Sequence, residues 1–135
     1  MDKDKASEAR RGVRRGVKEV ESLTERILKH REAVTPGKVT TILRKCGKPG
    51  CRCASGERHP TQLLYVTRGG ALKRLYVPKK DLAGVRERSE RYGALRKLRA
   101  ELNKAFGQIL TAVDTLEAAL TERYEKGTPK EVGDE

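Results

Sequence analysis

Large aromatic side chains and long apolar runs are scarce in this chain of 135 residues. It contains no tryptophan and one phenylalanine, and 36% of its residues are hydrophobic while 37% are charged. So few large apolar side chains build only a thin core, which favours long amphipathic helices over a thick globule. The chain has neither a run of about eighteen apolar residues nor the apolar segment of a secretory signal, so we expect a cytoplasmic protein.

Cysteine is also rare, and it is confined to one short stretch. All three cysteines lie in "RKCGKPGCRCASGERHP", which also holds one of the two histidines. An odd number of cysteines in a reducing compartment argues against a disulfide framework and leaves metal ligation or free thiols. Three thiolates and one imidazole are a common ligand set for structural zinc, and the glycines of the loop let the donors converge. The candidate ligands are Cys46, Cys51, Cys53 and His59.

Two other interpretations of the cysteines stay open. Basic residues flank the thiols and favour the thiolate form, which suits a redox switch at Cys51 and Cys53 as well as a metal site. A disulfide between residues spaced as C-x-C would be strained, however, and the spacing differs from the familiar C-x-x-C of zinc sites. Free cysteines in a tight, glycine-rich turn are the third interpretation.

Acidic residues are almost missing from the middle of the chain. Residues 1–35 hold ten Lys/Arg against seven Asp/Glu, residues 36–80 hold eleven against one, and residues 81–135 hold ten against eleven. Nearly all of the net charge of +12 therefore lies in the middle segment. A solvated charged face normally mixes both signs, so this segregation predicts a polyanionic partner, with nucleic acid favoured over an acidic protein.

Sequence motifs of catalysis are missing as well. The chain has no Walker-type phosphate loop, no nucleophile elbow and no H-E-x-x-H zinc motif. The basic middle segment holds a single carboxylate, Glu57, so it lacks the acidic cluster that a two-metal nuclease needs. We therefore expect a protein that is not an enzyme.

The hydrophobic pattern predicts an α+β fold built from three segments. Residues 1–35 have the helical period, with an apolar face and a basic opposite face, although Gly12 and Gly16 weaken the first turns. Residues 36–80 are rich in β-branched residues and predict a three-stranded antiparallel sheet. Its last two strands meet at the Gly69-Gly70 turn, and the cysteine-rich loop joins the first two.

Residues 81–126 predict one long helix with a coiled-coil-like seam, and the whole of 1–126 is interpreted as a single elongated domain followed by a disordered tail at 127–135. Because this helix is longer than the first, we expect a second copy or another coiled-coil protein to cover part of the seam. The seam residues recur at gaps of three and four: Leu95, Leu98, Leu102, Phe106, Ile109, Val113, Leu116 and Leu120.

The motif "CGKPGCRCASGERHP", the hairpin ending in "LYVPK" and the helix beginning "DLAGVRERSERYGALRKL" resemble a bacterial domain family of unknown function often found near transposases. The resemblance covers about residues 36–105 and implies a mobile-element or DNA-associated context. Where the family carries a His-Gly-Pro and several tyrosines, this chain has "RHPTQLLYV". Base stacking on the sheet is thereby reduced to Tyr65 and Tyr76.

These observations predict a small DNA-binding protein, with DNA favoured over RNA, that contacts phosphates through a basic, zinc-stapled β module. The alternative is a coiled-coil adaptor whose basic segment binds an acidic protein surface. No membrane partner is expected. The predicted phosphate contacts are Arg44, Lys45, Lys48, Arg52, Arg58, Arg68, Lys73, Arg74, Lys79 and Lys80 of the middle segment, with Arg11, Arg14, Arg15 and Lys18 of the first helix.

Overall fold

A computed structural model of the chain describes residues 1–45, 47–51, 56 and 58–127. Two helices and one antiparallel sheet with the strand order β1-β2-β3 make an α+β fold, which confirms the predicted fold class. Within the described residues, neither helix is long and apolar enough to cross a bilayer. In chain order, the elements are α1 (Lys3–Leu28), β1 (Lys38–Arg44), β2 (His59–Arg68), β3 (Ala71–Tyr76) and α2 (Lys79–Leu120).

The chain forms two compact units, and both helices contribute to each of them. The helical unit consists of Met1–Ser22 and the described part of Leu102–Glu135, and the sheet unit consists of Leu23–Glu101. The predicted tail falls, from residue 128 onward, outside the described residues. The single domain over residues 1–126 stays a prediction.

Small side chains pack the two helices of the helical unit together. A Cβ atom added at Gly16 would collide with Ile109 of α2, so the glycine that weakens α1 in isolation is needed for the close approach of the helices. A Cβ atom at Gly12 would lie 3.4 Å from the Cβ of Ala112. Among the described residues of this unit, the buried apolar side chains are all alanines, namely Ala6, Ala9, Ala105 and Ala119.

The start of α1 is capped and bonded to α2 through one residue. The Asp2 carboxylate accepts a hydrogen bond from the Lys5 amide at 3.0 Å, which satisfies one of the free N–H groups of the first helical turn. The Asp2 amide itself donates to the carbonyl of Ala119 at 2.8 Å. The first turn of α1 therefore lies level with the last turn of α2.

In the sheet unit, α1 ends at Leu28, earlier than the sequence predicts from Pro36. The segment that follows is bonded to α2 and does not continue the helix. The Thr35 amide donates to the Arg88 carbonyl at 3.1 Å, and the Arg88 guanidinium donates back to the Thr35 hydroxyl at 3.0 Å. The guanidinium of Arg91 donates to another carbonyl of this segment at 3.1 Å. These bonds replace the helical ones, which explains the early end.

The β2–β3 hairpin turns where the sequence predicts it. Gly69 and Gly70 have φ angles of 59° and 78°, the left-handed values that a two-residue hairpin turn requires of both central residues. β2 is the central strand and pairs antiparallel with both of its neighbours. The predicted hairpin is therefore confirmed, and β3 pairs with β2 over its whole length.

One glycine fixes the entry of the chain into β1. Gly37 has a φ of 118°, and a Cβ atom there would lie 2.7 Å from the Tyr65 carbonyl oxygen and 2.9 Å from Leu64 Cδ1. The Ser89 hydroxyl of α2 donates to the Gly37 carbonyl at 2.6 Å. The first residues of the sheet are thus held between β2 and α2, with no room for a side chain at this position.

Candidate nucleic-acid interface

The two faces of the sheet have different surroundings. Gln62 Oε1 accepts a hydrogen bond from Arg86 of α2 at 3.4 Å, so the even-numbered residues of β2 point toward that helix. Leu64 and Val66 share this inner face and are 5% and 6% exposed. Residues of odd number in β2, together with their register partners, occupy the opposite face of the sheet, where Leu63 is 8% exposed and Lys38 and Tyr65 line a cavity with Glu90 of α2. This outer face consists of Lys38, Thr40, Ile42, Arg44, His59, Thr61, Leu63, Tyr65, Thr67, Leu72, Arg74 and Tyr76.

Cations and aromatic rings are adjacent on the outer face. Tyr65 pairs with Lys38 on one side and with Arg74 on the other, so the three residues form one row across the sheet. The Arg74 guanidinium lies 5.8 Å from the centroid of the Tyr65 ring, within the range of a cation–π contact. Tyr76, on the neighbouring row, is 67% exposed. An exposed ring such as that of Tyr76 can stack on a base, and the cations on the neighbouring row can neutralise the phosphate beside it.

No carboxylate lies among the outer-face residues. The face carries three permanent cations, Lys38, Arg44 and Arg74, and the imidazole of His59, which pairs with Arg44 in the register. Like charges on one small surface repel each other, and a polyanion removes that repulsion when it binds. The arrangement is therefore suited to a phosphate backbone.

Two of the sheet cations predicted as phosphate contacts do not share this face. Arg44 and Arg74 lie on the outer face. Lys73 pairs with the inner-face residue Val66, and Arg68 follows Val66 by two residues, so both occupy inner-face positions near the hairpin turn. The sequence-predicted cluster is thus divided between two sides of the sheet.

The other predicted cations lie outside the strands. The loop between β1 and β2 holds Lys45, Lys48 and Arg58. The first turn of α2 holds Lys79 and Lys80. Four more are exposed on α1 in the helical unit: Arg11, Arg14, Arg15 and Lys18. Arg52 lies outside the described residues.

Lys38 was not among the predicted contacts, although it stands in the central row of the outer face. Its place is set by the pairing of Lys38 with Tyr65, a partner far away in the sequence. Strand alternation alone assigns Lys38 and Arg44 to one face of β1, because their positions differ by six, an even number. That signal could have been used to add Lys38 to the set.

The cysteine-rich loop brings two of the four predicted zinc ligands together. Cys51 Sγ lies 2.9 Å from His59 Nε2, at the point where the loop enters β2. The Cys51 amide donates to the Lys48 carbonyl at 3.3 Å, which closes a turn before the thiol. Cys46 and Cys53 lie outside the described residues, and within the described residues no three metal-ligating side chains form a group.

The class defined so far is a small α+β module with a cationic and aromatic sheet face. A family model described as a domain of unknown function, DUF6788, matches residues 17–87, which is more than half of the chain. The chain therefore belongs to this family. The match includes all three strands and the cysteine-rich loop. No curated protein and no solved structure was found to match the chain.

Proposed function

We propose that the protein is a non-enzymatic DNA-binding protein that uses the outer face of its sheet. The observation that carries the proposal is the row formed by Lys38, Tyr65 and Arg74 on strands that hold no Asp or Glu. The cations bind backbone phosphates, and the exposed ring of Tyr76 adds stacking where a base is unpaired.

The charge distribution supports the same role. The segment from residue 36 to residue 80 has eleven Lys/Arg and one Asp/Glu, and it contains the entire sheet. The proposed site acts by binding and requires no bond-making step. We place this role in the cytoplasm, as an accessory function of mobile DNA, on the resemblance of the cysteine motif to proteins found near transposases.

Binding to DNA is expected to be strongly salt-dependent. Titration of a labelled duplex by fluorescence anisotropy at several salt concentrations should give a log–log slope of about −3 or steeper, since each neutralised phosphate contributes about −0.9. A single strand of the same length tests the stacking contribution. Polyglutamate serves as a polyanion without bases or phosphates. Equal affinity for polyglutamate and DNA would contradict the proposal and favour an acidic protein partner.

We further propose that the loop binds one zinc ion through Cys46, Cys51, Cys53 and His59. The support is the 2.9 Å approach of Cys51 and His59 across seven intervening residues. Two ligands of a tetrahedral zinc ion are about 3.5 Å apart, given Zn–S of about 2.3 Å and Zn–N of about 2.0 Å, so the pair needs to open only slightly. The metal would brace a sheet that has few core residues of its own.

Native mass spectrometry, with and without a strong chelator, tests the zinc site directly. One zinc ion per chain is expected, and it should be lost on chelation. The variant Cys53→Ser should lower the zinc occupancy, whereas Ser55→Ala, in the same loop, should leave it unchanged. A metal-free chain with three alkylatable thiols would overturn the zinc proposal without affecting the DNA-binding one.

A further inference from the structure

Three of the eight residues of the predicted seam on α2 are exposed, and so is Leu110 beside them. Within the helical unit, Phe106, Leu110, Val113 and Leu120 have exposed fractions of 49%, 65%, 42% and 40%. Their spacing of three, four and seven residues places them in one row along the helix. A row of large apolar side chains in water is unfavourable unless another surface covers it.

The row lies beside the face that packs on α1. Phe106, Val113 and Leu120 each follow one of the alanines at 105, 112 and 119, which belong to the packed face, so the row is rotated by about 100° from that face. On α1, Val17 likewise follows the buried Gly16 and is 43% exposed. The two helices run antiparallel, so a rotation of about 100° to the next residue leads to the same side of the pair on both helices. Val17 of α1 and the apolar row of α2 therefore lie on one side of the pair. We call this side the apolar flank.

The apolar flank is bordered by opposite charges on its two helices. Along the α1 side lie the exposed Arg10 and Arg14, with the exposed Glu21 seven residues beyond Arg14, and along the α2 side lie the exposed Asp114 and Glu117. Gly12 packs opposite Ala112, so Arg10 lies level with Asp114, and Arg14 and Glu117 lie about 5 Å from that level, in opposite directions. By helical spacing, Arg14 and Asp114 lie on the outer edges of the pair, whereas Glu117, seven residues from Leu110, and Arg10, seven residues from Val17, lie in line with the apolar residues.

We propose that the apolar flank binds a second copy of this chain, with the twofold axis parallel to the helices. This operation places α1 of one copy over α2 of its partner, antiparallel, and gives a four-helix bundle. The apolar rows meet at the centre. Arg10 then lies level with the partner's Asp114, and Arg14 and the partner's Glu117 lie within about one helical turn of that level. The surface is thus complementary to itself in both polarity and charge.

Self-complementarity favours a second copy over an unrelated partner. A purely acidic partner would be repelled by the carboxylate border, and a basic partner by the arginine border. The proposal also gives Arg14 an interface role in place of the phosphate contact predicted from the sequence. The inference depends on the helical unit alone and is independent of the DNA-binding proposal.

Sedimentation equilibrium of the full chain is the first test. The wild type is expected to be a dimer at micromolar concentrations, and Leu110→Glu should weaken the dimer at least about 100-fold, since it puts two charges at the centre of the interface. Gln108→Glu is the matched control, because Gln108 lies beside Arg15 and Glu19 on the opposite side of the pair. Circular dichroism verifies that both variants stay helical. A monomeric wild type would overturn the proposal.

A charge exchange tests the geometry. One variant carries Arg10→Glu and Arg14→Glu, and the other carries Asp114→Lys and Glu117→Lys. Each alone should dimerise more weakly than the wild type, because like charges then face each other across both borders. When the two are mixed, the borders are again opposite in sign, and a heterodimer should form with nearly wild-type affinity. Weak association of the mixture as well would contradict the twofold arrangement.

Discussion

A variant with Lys38→Gln, Arg44→Gln and Arg74→Gln is expected to bind duplex DNA about 100-fold more weakly than the wild type at about 0.15 M salt. Each phosphate contact contributes about 0.9 log units per tenfold change in salt, so three contacts contribute about two log units at this concentration. Anisotropy titrations over a range of salt concentrations should also give a log–log slope shallower by about 3. The substitutions are isosteric enough to keep the exposed strands intact.

The matched control removes the same number of charges from other positions. Arg68→Gln and Lys73→Gln lie at inner-face positions of the sheet, and Lys97→Gln lies on α2. This variant has the same net charge as the first, so any difference in affinity reports the position of the cations. We expect a loss of less than about tenfold, from the weaker long-range attraction alone. Equal losses for the two variants would mean that the outer face has no special role.

The substitution Gly37→Ala is expected to lower the free energy of unfolding by about 3 kcal/mol or more. A residue other than glycine is strained at a φ of 118°, at a cost of about 1–3 kcal/mol. The added Cβ would also lie 2.7 Å from the Tyr65 carbonyl and 3.1 Å from Val66 Cβ, and such overpacking costs about 1–3 kcal/mol more. Urea denaturation followed by circular dichroism measures the change.

Gly70→Ala separates the two contributions. Gly70 has a φ of 78°, but a Cβ atom there meets no atom within 4 Å in the described part of the chain. This variant should therefore show the backbone strain alone, at about 1 kcal/mol. The excess in Gly37→Ala measures the steric conflict with β2. If the two variants lose the same stability, β1 does not lie where the structure places it.

The elements of the fold could be predicted because their signals are local. The β-branched strands, the Gly69-Gly70 turn and the helical period each depend on residues within one element. The early end of α1 could not be predicted, because Arg88 and Arg91 of a distant helix bond the segment that follows it. The role of Gly16 could not be predicted either, because it depends on the close contact with Ile109 of the distant helix α2.

The candidate site was predicted in composition but not in arrangement. The charge count identified the basic segment, yet it could not show that Arg74 and Lys73 lie on opposite faces of the sheet. Only the register with β2 assigns Arg74 and Lys38 to the same row as Tyr65. Likewise, the gaps of three and four predicted a single seam on α2. Only the packing against α1 shows that Phe106 is exposed while Ile109 is half-buried.

The helical unit is assembled from segments at both ends of the chain, whereas the sheet unit is continuous. Residues 23–101, all of the sheet unit, separate the two segments. During synthesis on the ribosome, the first turns of α1 leave the exit tunnel long before their partner on α2 exists. The sheet unit can complete its contacts first, and the helical unit closes afterwards. Once residue 101 has left the tunnel, the ribosome would therefore present a finished sheet unit attached to an unpaired Met1–Ser22 segment.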